Sequence, residues 1–380
     1  MNLPNEAESS APGEEAIGES RSPKTLGDLQ KTITMAQIAK AAGVSQGAIS
    51  SLLNDRDYGI RVSEKTRERV FKVCREMGYI PNDLRAVVRM YPEFGDCCLL
   101  IPTSLAGGLS DPSVARLAGA AMAAVSDPLR AITVAAYDET IDYLTEPNAL
   151  PQPVRAGVCS KFLCLGAASH LLLQALHRRG SPVASLGHDA VMPGVLSIVP
   201  DYCQASRLAI EHLYALGHRH IGIVSGPFGA TDSDLLELNR GVRLACDELG
   251  LPIDAKMIVY GDLGEKSGRT AVEELLAHQP EPTAIFCLSD AAAAGVLAAA
   301  HLRGVKVPAE LSVIGCADDV RAQSTYPGLT TVHLPYEEMA ALAVKEIERL
   351  VREPLFGEPR KVLLPVRLVE RESTAAPSVA

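Results

Sequence analysis

No pair of cysteines in this 380-residue chain is spaced C-x-x-C, although nine cysteines are present. Metal centres and disulfide frameworks need regular spacing, and most of these thiols sit in apolar runs (Cys97, Cys98, Cys164, Cys287, Cys316). Reduced, buried thiols are therefore expected, with no metal site. Eighteen consecutive apolar residues do not occur, so no membrane-spanning segment is expected. The first twenty residues, MNLPNEAESSAPGEEAIGES, are acidic and lack an apolar core, so no secretory signal is expected either. The chain reads as cytoplasmic. The phosphate-loop pattern GxxxxGK[ST] is missing. GEKSG at 264–268 does not match it, and Ser267 is expected to cap a helix instead. Asp318-Asp319 has neither a positioned nucleophile nor a second carboxylate pattern beside it, so it reads as a loop after a strand. An enzyme is not expected, and no cofactor is called for.

What is present is an ordinary soluble composition, 47% hydrophobic and 22% charged. That excludes disorder throughout, collagen and a small disulfide-stapled module. The net charge of −10 argues, as a single number, against nucleic acid. Its distribution argues otherwise. Residues 32–91 carry ten Lys/Arg against six Asp/Glu, a net +4, whereas residues 1–31 carry −3 and the remainder −11. A basic island in an acidic chain suggests a separate polyanion-binding module.

Residues 1–31 are rich in Glu, Ser, Pro and Gly and have too little apolar surface to offset the entropy of ordering, so they read as a disordered acidic tail. Residues 34–78 read as three short helices. Thr34 and Gln37 form a capping box before Ile38, Ala39 and Ala42, and Gly43 ends that helix. Ser45 caps a second helix with an Ile49, Leu52, Leu53 face. Ser63 caps a third, with Val70, Val73, Cys74 and Met77 inward and Gly78 as its left-handed stop. Residues 82–89 (NDLRAVVR), between Pro81 and Pro92, are too short to hold a helix alone and are expected to order on binding. From residue 96 short apolar runs (97–102, 131–137, 161–166, 182–187, 220–226, 257–262, 284–290, 311–316) alternate with helix candidates near 113–126, 169–179, 203–216, 233–249, 267–277, 291–303 and 336–352. This alternation predicts α/β architecture with parallel sheets covered by helices on both faces. About 275 residues exceed one open sheet, so two lobes with a ligand cleft at the strand C-termini fit better.

Two short helices joined at a glycine and propped by a third make a helix-turn-helix. Its second helix, opening Ser45-Gln46-Gly47-Ala48, has the chemistry to enter a major groove N-terminus first. Gln46 can pair with adenine, Ala48 can touch a thymine methyl, and Ser51 can reach a base or phosphate. Gly47 clears space for close approach. Thr34, Ser45, Lys65, Thr66 and Arg67 can hold phosphates through side chains or helix N-terminal amides. An ordinary three-helix bundle would show the same periodicity; the +4 charge weighs against it.

The string TMAQIAKAAGVSQGAISSLLN (34–54), with VSEKTRERV (62–70) and GYIPN (78–82), resembles the lactose-repressor (LacI/GalR) family of bacterial transcription regulators. The resemblance continues through IEHLYALGHRHIGIVSGP (210–227), LSVIGCADD (311–319), YPGLTTV (326–332) and LLPVRLVERES (363–373), and is weakest at 103–180. It implies a helix-turn-helix domain over 32–81, a hinge helix over 82–91, a two-lobed core like periplasmic sugar-binding proteins over 92–373 with three strands crossing between lobes, and a short tail over 374–380. It also implies a cytoplasmic, nucleoid-associated homodimer, most often a repressor, that reads double-stranded DNA and answers to a small-molecule effector. By the resemblance Gln46, Gly47 and Ser51 occupy base-reading positions. Arg85, Ala86, Val88 and Arg89 lie on a hinge helix that enters the minor groove, with Val88 at the wedge position where the family places a leucine. The loop 55–61 is about three residues longer than the commonest family form.

The effector pocket departs from the family. Sugar-binding members carry an arginine where Leu238 stands, an asparagine at Ser289 and an aspartate at Ala317. Pairing of ligand hydroxyls needs such groups. A conventionally bound sugar is therefore not expected; a less polar ligand, or a vestigial pocket, is. His188, Phe228, Leu238, Ser289, Ala317 and Tyr336 are the candidate lining, and Arg240 or Asp318 would substitute only with a local shift of register. A cytoplasmic small-molecule binding protein whose DNA module is secondary is the rival reading. His212, His218 and His220 look like a metal cluster, but basic residues complementing a helix C-terminus explain them more simply.

Overall fold

The structure, a computed structural model, describes residues 33–54, 62–79, 81, 88, 95–105, 108–125, 131–166, 170–229, 233–252, 254–353, 355 and 359–378. They fall into two units divided between Asp83 and Leu84. The acidic stretch 1–31, the loop 55–61 and the hinge positions Arg85, Ala86 and Arg89 lie outside the described residues.

The first unit holds α1 (Met35–Ala42), α2 (Gln46–Asn54) and α3 (Glu64–Met77). Thr34 caps α1 in a full capping box with Gln37, and Gly43 closes it in the left-handed conformation at φ 64°. The Ser45 hydroxyl accepts the Ala48 amide at 3.1 Å, and Ser63 accepts that of Thr66 at 3.3 Å. Gly78, at φ 72°, ends α3. Ile38, Ala42, Ile49, Leu53, Val70 and Cys74 form the small core. Val73 and Met77 reach it only in part.

The second unit contains two six-stranded sheets. Its strands are β1 (Asp96–Pro102), β2 (Ile132–Tyr137), β3 (Cys159–Leu165), β4 (Val183–Leu186), β5 (Val195–Pro200), β6 (Ile221–Ser225), β7 (Ile258–Tyr260), β8 (Ala284–Cys287), β9 (Ser312–Ala317), β10 (Thr330–His333), β11 (Arg360–Leu364) and β12 (Arg367–Val369). The first sheet runs β11-β5-β4-β3-β1-β2 and the second β12-β10-β9-β8-β6-β7. All pairings are parallel except β10 with β12. The chain crosses from the first lobe to the second after β5, returns after β10, and crosses again between β11 and β12. The helices are α4 (Pro112–Ala124), α5 (Gln152–Ala156), α6 (His170–Arg178), α7 (Tyr202–Ala215), α8 (Ser233–Leu249), α9 (Glu265–Leu275), α10 (Asp290–Leu302), α11 (Val320–Ser324) and α12 (Tyr336–Arg352). In the first lobe α4 and α12 cover one sheet face and α6 the other. In the second, α7 and α8 cover one face and α9 and α10 the other. With both faces covered, the central strands read as unbroken apolar runs rather than alternating ones.

Most polar groups inside this core are paired, the Ser206 hydroxyl being buried without a partner among the described residues. Lys161, the one charge within β3 and 1% exposed, places its Nζ 2.8 Å from Glu348 on α12. The helix pair α9–α10 is closed by two glycines: a Cβ on Gly268 would run into the Ala292 carbonyl, and one on Gly295 into that of Glu265. Ser267 lies within α9, which begins at Glu265. Its hydroxyl turns back to the Gly264 carbonyl at 2.9 Å instead of capping the helix.

The histidines form no metal cluster. His218 is buried, its Nδ1 2.8 Å from the Thr283 hydroxyl and its Nε2 2.9 Å from the Ala375 carbonyl. That carbonyl can only accept, so Nε2 carries the proton and Nδ1 accepts. His212 meets the Thr374 hydroxyl at 3.0 Å, and His220 is exposed. His218 is thus a buried hydrogen-bonding group, and His212, half-buried in the last turn of α7, is bonded to Thr374; neither is placed as a metal ligand. They also redraw a boundary. Residues 374–375, expected in a tail, belong to the second lobe, because Ser312 and His218 take their partners there.

Two outcomes follow from this packing. Gly268→Ala should cost about 1–3 kcal/mol, because backbone atoms on α10 cannot yield as a side-chain tip would; chemical denaturation reads it directly. Burial holds the His218 pKa below the ordinary value of 6.5. The unfolded chain then binds protons more readily, so the contribution of neutral His218 is full above 6.5 and falls as pH drops below it. The difference in melting temperature between the wild type and His218→Gln should narrow from pH 7 to pH 5.

Candidate DNA interface and ligand cleft

The recognition helix presents a defined arc. Gln46 and Gly47 are exposed at its N-terminus and Ser51 is half-buried one turn on. Ser45, also exposed, uses its hydroxyl as the cap. Ala48 is 7% exposed and faces the core with Ile49, Leu52 and Leu53, so the expected contact with a thymine methyl does not hold for this helix. The reason is spacing: position 48 lies one turn before Leu52, on the buried side. Ser50, one turn after Gln46, shares the outward arc instead, and that i+4 spacing was readable. Thr34 and Lys65 are exposed at the starts of α1 and α3, with Thr66 and Arg67 half-buried beside them. The Thr66 hydroxyl lies 2.9 Å from that of Ser63. Two capped helix N-termini thus flank the reading helix, each a site suited to phosphate.

Val88 is 5% exposed in the second unit. A Cβ added to Gly95, at the edge of β1, would lie 2.7 Å from its Cγ1. A valine that wedges into DNA must first leave this packing.

Five of the six candidate cleft residues stand at or just after the C-terminal ends of strands, where ligands bind in such folds, and Leu238 lies within α8. The structure brings three together. Leu238 (6% exposed) and Ala317 (8%) are buried in one apolar cluster with Tyr202, and Tyr336 packs against it. His188 turns across to the other lobe, its Nδ1 2.9 Å from the Ser233 hydroxyl of α8. Ser233 also accepts the Asp189 amide at 3.1 Å. Ser289 caps α10 through the Ala292 amide and donates to the Leu263 carbonyl at 2.6 Å. Phe228 stands apart, 82% exposed, edge-to-face with Tyr260 at 5.1 Å. The two substitutes for lost sugar-pairing groups are committed elsewhere. Arg240 pairs on the surface with Glu237, and Asp318 is bound by Arg371 at 2.6 Å and His333 at 3.0 Å.

Arg116 was not anticipated. It is the sole charge in α4, a signal available in the sequence. Its Nε and Nη2 meet the Glu337 carboxylate at 2.6 and 2.7 Å. Its Nη1 donates to the Ala317 and Asp318 carbonyls, both at 3.1 Å, in the opposite lobe. Those two residues have positive φ, 138° and 55°. Burial pushes the Asp318 carboxyl up, but the bonds from Arg371 and His333 outweigh it and hold the pKa below the ordinary value. Asp290 is the opposite case. It is buried and accepts from Thr331 at 2.6 Å and from the Asp319 amide at 2.8 Å. Burial dominates and lifts its pKa to about 7. His333, Glu337 and Glu338 bring ligand-type atoms within 4.8 Å of one another. Arg116 already neutralises Glu337 within the first lobe and His333 is tied to Asp318 within the second, so two of these three groups are committed to other partners.

Comparison with known proteins agrees with both halves. Residues 34–82 match the family "Bacterial regulatory proteins, lacI family", and residues 210–374 match the periplasmic binding protein-like domain. The regulator DegA of Bacillus subtilis is 30% identical over 345 residues, covering 90% of this chain and 98% of that protein. CelR of Thermobifida fusca is 28% identical over 357 residues. The structure of a CelR–cellobiose complex superimposes with a TM-score of 0.64 at 26% identity, covering 90% of this chain and 99% of that one. A lac repressor dimer bound to operator shares the fold, with a TM-score of 0.63 at 23% identity, 91% of this chain and 100% of that one. Among the described residues no helix is long and apolar enough to cross a membrane. With a capped recognition helix in a basic segment and a two-lobed core behind it, the chain belongs to the LacI family of bacterial regulatory proteins and is a DNA-binding transcription regulator.

Proposed function

We propose that this regulator works in the cytoplasm as a homodimeric repressor reading a pseudopalindromic operator. The observation that carries the base-reading assignment is the exposed Gln46-Gly47 pair at the N-terminus of α2, between two capped helix starts, in the positively charged segment of an acidic chain. Gln46 reads a base edge, Gly47 allows close approach, and Ser51 with Ser50 supports contacts one turn on. Thr34, Lys65, Thr66 and Arg67 set the register on phosphates. Arg85, Ala86, Val88 and Arg89 form the hinge segment. Val88 offers a shorter minor-groove wedge than leucine, and Arg85 offers charge to a narrowed groove. The relatives named as repressors, ExuR of Bacillus subtilis and PurR of Proteus mirabilis, support the repressor role.

The core is proposed to couple lobe closure to DNA binding. The CelR relative was solved with cellobiose. In this chain Leu238 and Ala317 are buried apolar residues where a sugar would need charged partners, which supports a less polar ligand at His188, Phe228, Ser289 and Tyr336. No catalytic role is assigned.

Operator selection from random duplex, followed by affinity measurements, tests this reading. Gln46→Ala should cost about 1–3 kcal/mol at one base pair and relax preference there; an equal loss on every sequence would make Gln46 a phosphate contact. The logarithm of the affinity should fall linearly with the logarithm of salt concentration, since phosphate neutralisation releases counterions. A flat salt response, with tight ligand binding and no operator preference, would favour the small-molecule binding reading.

A further inference from the structure

Among the described residues, side chains bond the two lobes of the core to each other directly at two places. At the first, Arg116 leaves α4 in the first lobe and donates to the Ala317 and Asp318 carbonyls of the second, 3.1 Å each. Its guanidinium is held for this task by the bidentate Glu337 carboxylate and lies 5.3 Å from the Tyr336 ring centre. The receiving carbonyls are aimed by a backbone at φ 138° and 55°, and Arg371 and His333 fix the Asp318 side chain behind them. At the second, Ser233 of the second lobe bonds His188 and the Asp189 amide of the first. Leu238, Ala317 and Tyr202 belong to one buried apolar cluster of the second lobe, with Tyr336 packed against it.

We infer that this cleft is held shut by ties the chain makes to itself, with the Arg116 guanidinium as the main bridge, so that closure needs no bound small molecule. The inference deepens the proposed function, on whose coupling between closure and DNA binding its regulatory consequence rests. A ligand can shift a two-state equilibrium only by its differential affinity for the two states. Where closure is already built in, a ligand of the cleft acts by opening it, and must displace the Arg116 ties to do so.

Small-angle scattering of the dialysed, DNA-free full chain tests this. Arg116→Gln should enlarge the radius of gyration relative to the wild type, with cooperative melting retained. Glu337→Gln, which loosens the guanidinium but leaves its donors on the two carbonyls, should enlarge it less than Arg116→Gln does. On a selected operator Arg116→Gln should change affinity by about 5–150-fold, the range of ordinary coupling between sites. A wild-type curve for Arg116→Gln, or equal enlargement by Glu337→Gln, would overturn the inference. If Arg116→Gln fails to melt cooperatively, Ser233→Ala decides: enlargement supports built-in closure, and an unchanged curve rejects it. Scattering involves no DNA, so a chain that binds no operator would count against the proposed function and leave the closure result standing.

Discussion

The bridge from the first lobe lands on the carbonyls of Ala317 and Asp318, and the Asp318 carboxylate is what fixes them within the second lobe. Asp318 sits after β9 in left-handed backbone, which costs a non-glycine residue on the order of 1–3 kcal/mol unless its surroundings over-determine it. They do. Arg371 from the C-terminal segment and His333 from the end of β10 each hold one carboxylate oxygen. The Thr331 hydroxyl, itself donating to Asp290, lies 3.4 Å from the Asp318 amide. The next residue sends its own amide to Asp290. Gly315 has no room for a side chain because Asp290 fills that space. Strand ends, C-terminal segment and helix α10 are therefore mutually fixed, and the carbonyls that face Arg116 inherit that rigidity. Strain kept by so many partners marks a place where position matters more than local comfort.

Charge is segregated by task. The +4 of residues 32–91 lies in a chain whose remainder is acidic. An acidic core repels phosphate and leaves DNA contact to the basic segment. The average of −10 hides this, because long-range steering depends on where the charge is and not on its sum.

Much of the architecture was legible because its signals are local. Capping residues, stop glycines and inward spacing placed α1, α2 and α3 closely, and eight apolar runs marked eight of the twelve strands. The other four were not marked as runs for a physical reason. β11 and β12 are edge strands with Arg360, Lys361 and Arg367 in them, β10 has one aliphatic residue beside Thr330, Thr331 and His333, and β5 follows β4 after a short loop. Helices α5 and α11 are five residues each, too short for periodicity to declare itself. The outward face of α2 was legible except at Ala48, where outward and core-facing positions differ by one residue. The cleft was legible only by its losses. Arg116 makes its contacts with residues about two hundred positions away, and such a partnership leaves no mark in local pattern beyond one charge in an otherwise apolar helix.

The losses themselves obey a rule. Leu238 and Ala317 are each less than a tenth exposed. A charged side chain at either position would be tolerable only while paired, since an uncompensated buried charge is strongly destabilising. A ligand rich in hydroxyls supplies that pairing; once it is no longer used, every charged group that served it becomes a liability in the closed form. Leu238 and Ala317 carry no such charge, and both pack in the apolar cluster of the second lobe. The charge that persists at the junction is Arg116, and four of its five donors are satisfied by the chain's own carboxylate and carbonyls. On the proposed reading, a cleft bridged by a charge that the chain itself satisfies takes its closing interactions from the protein and not from an effector.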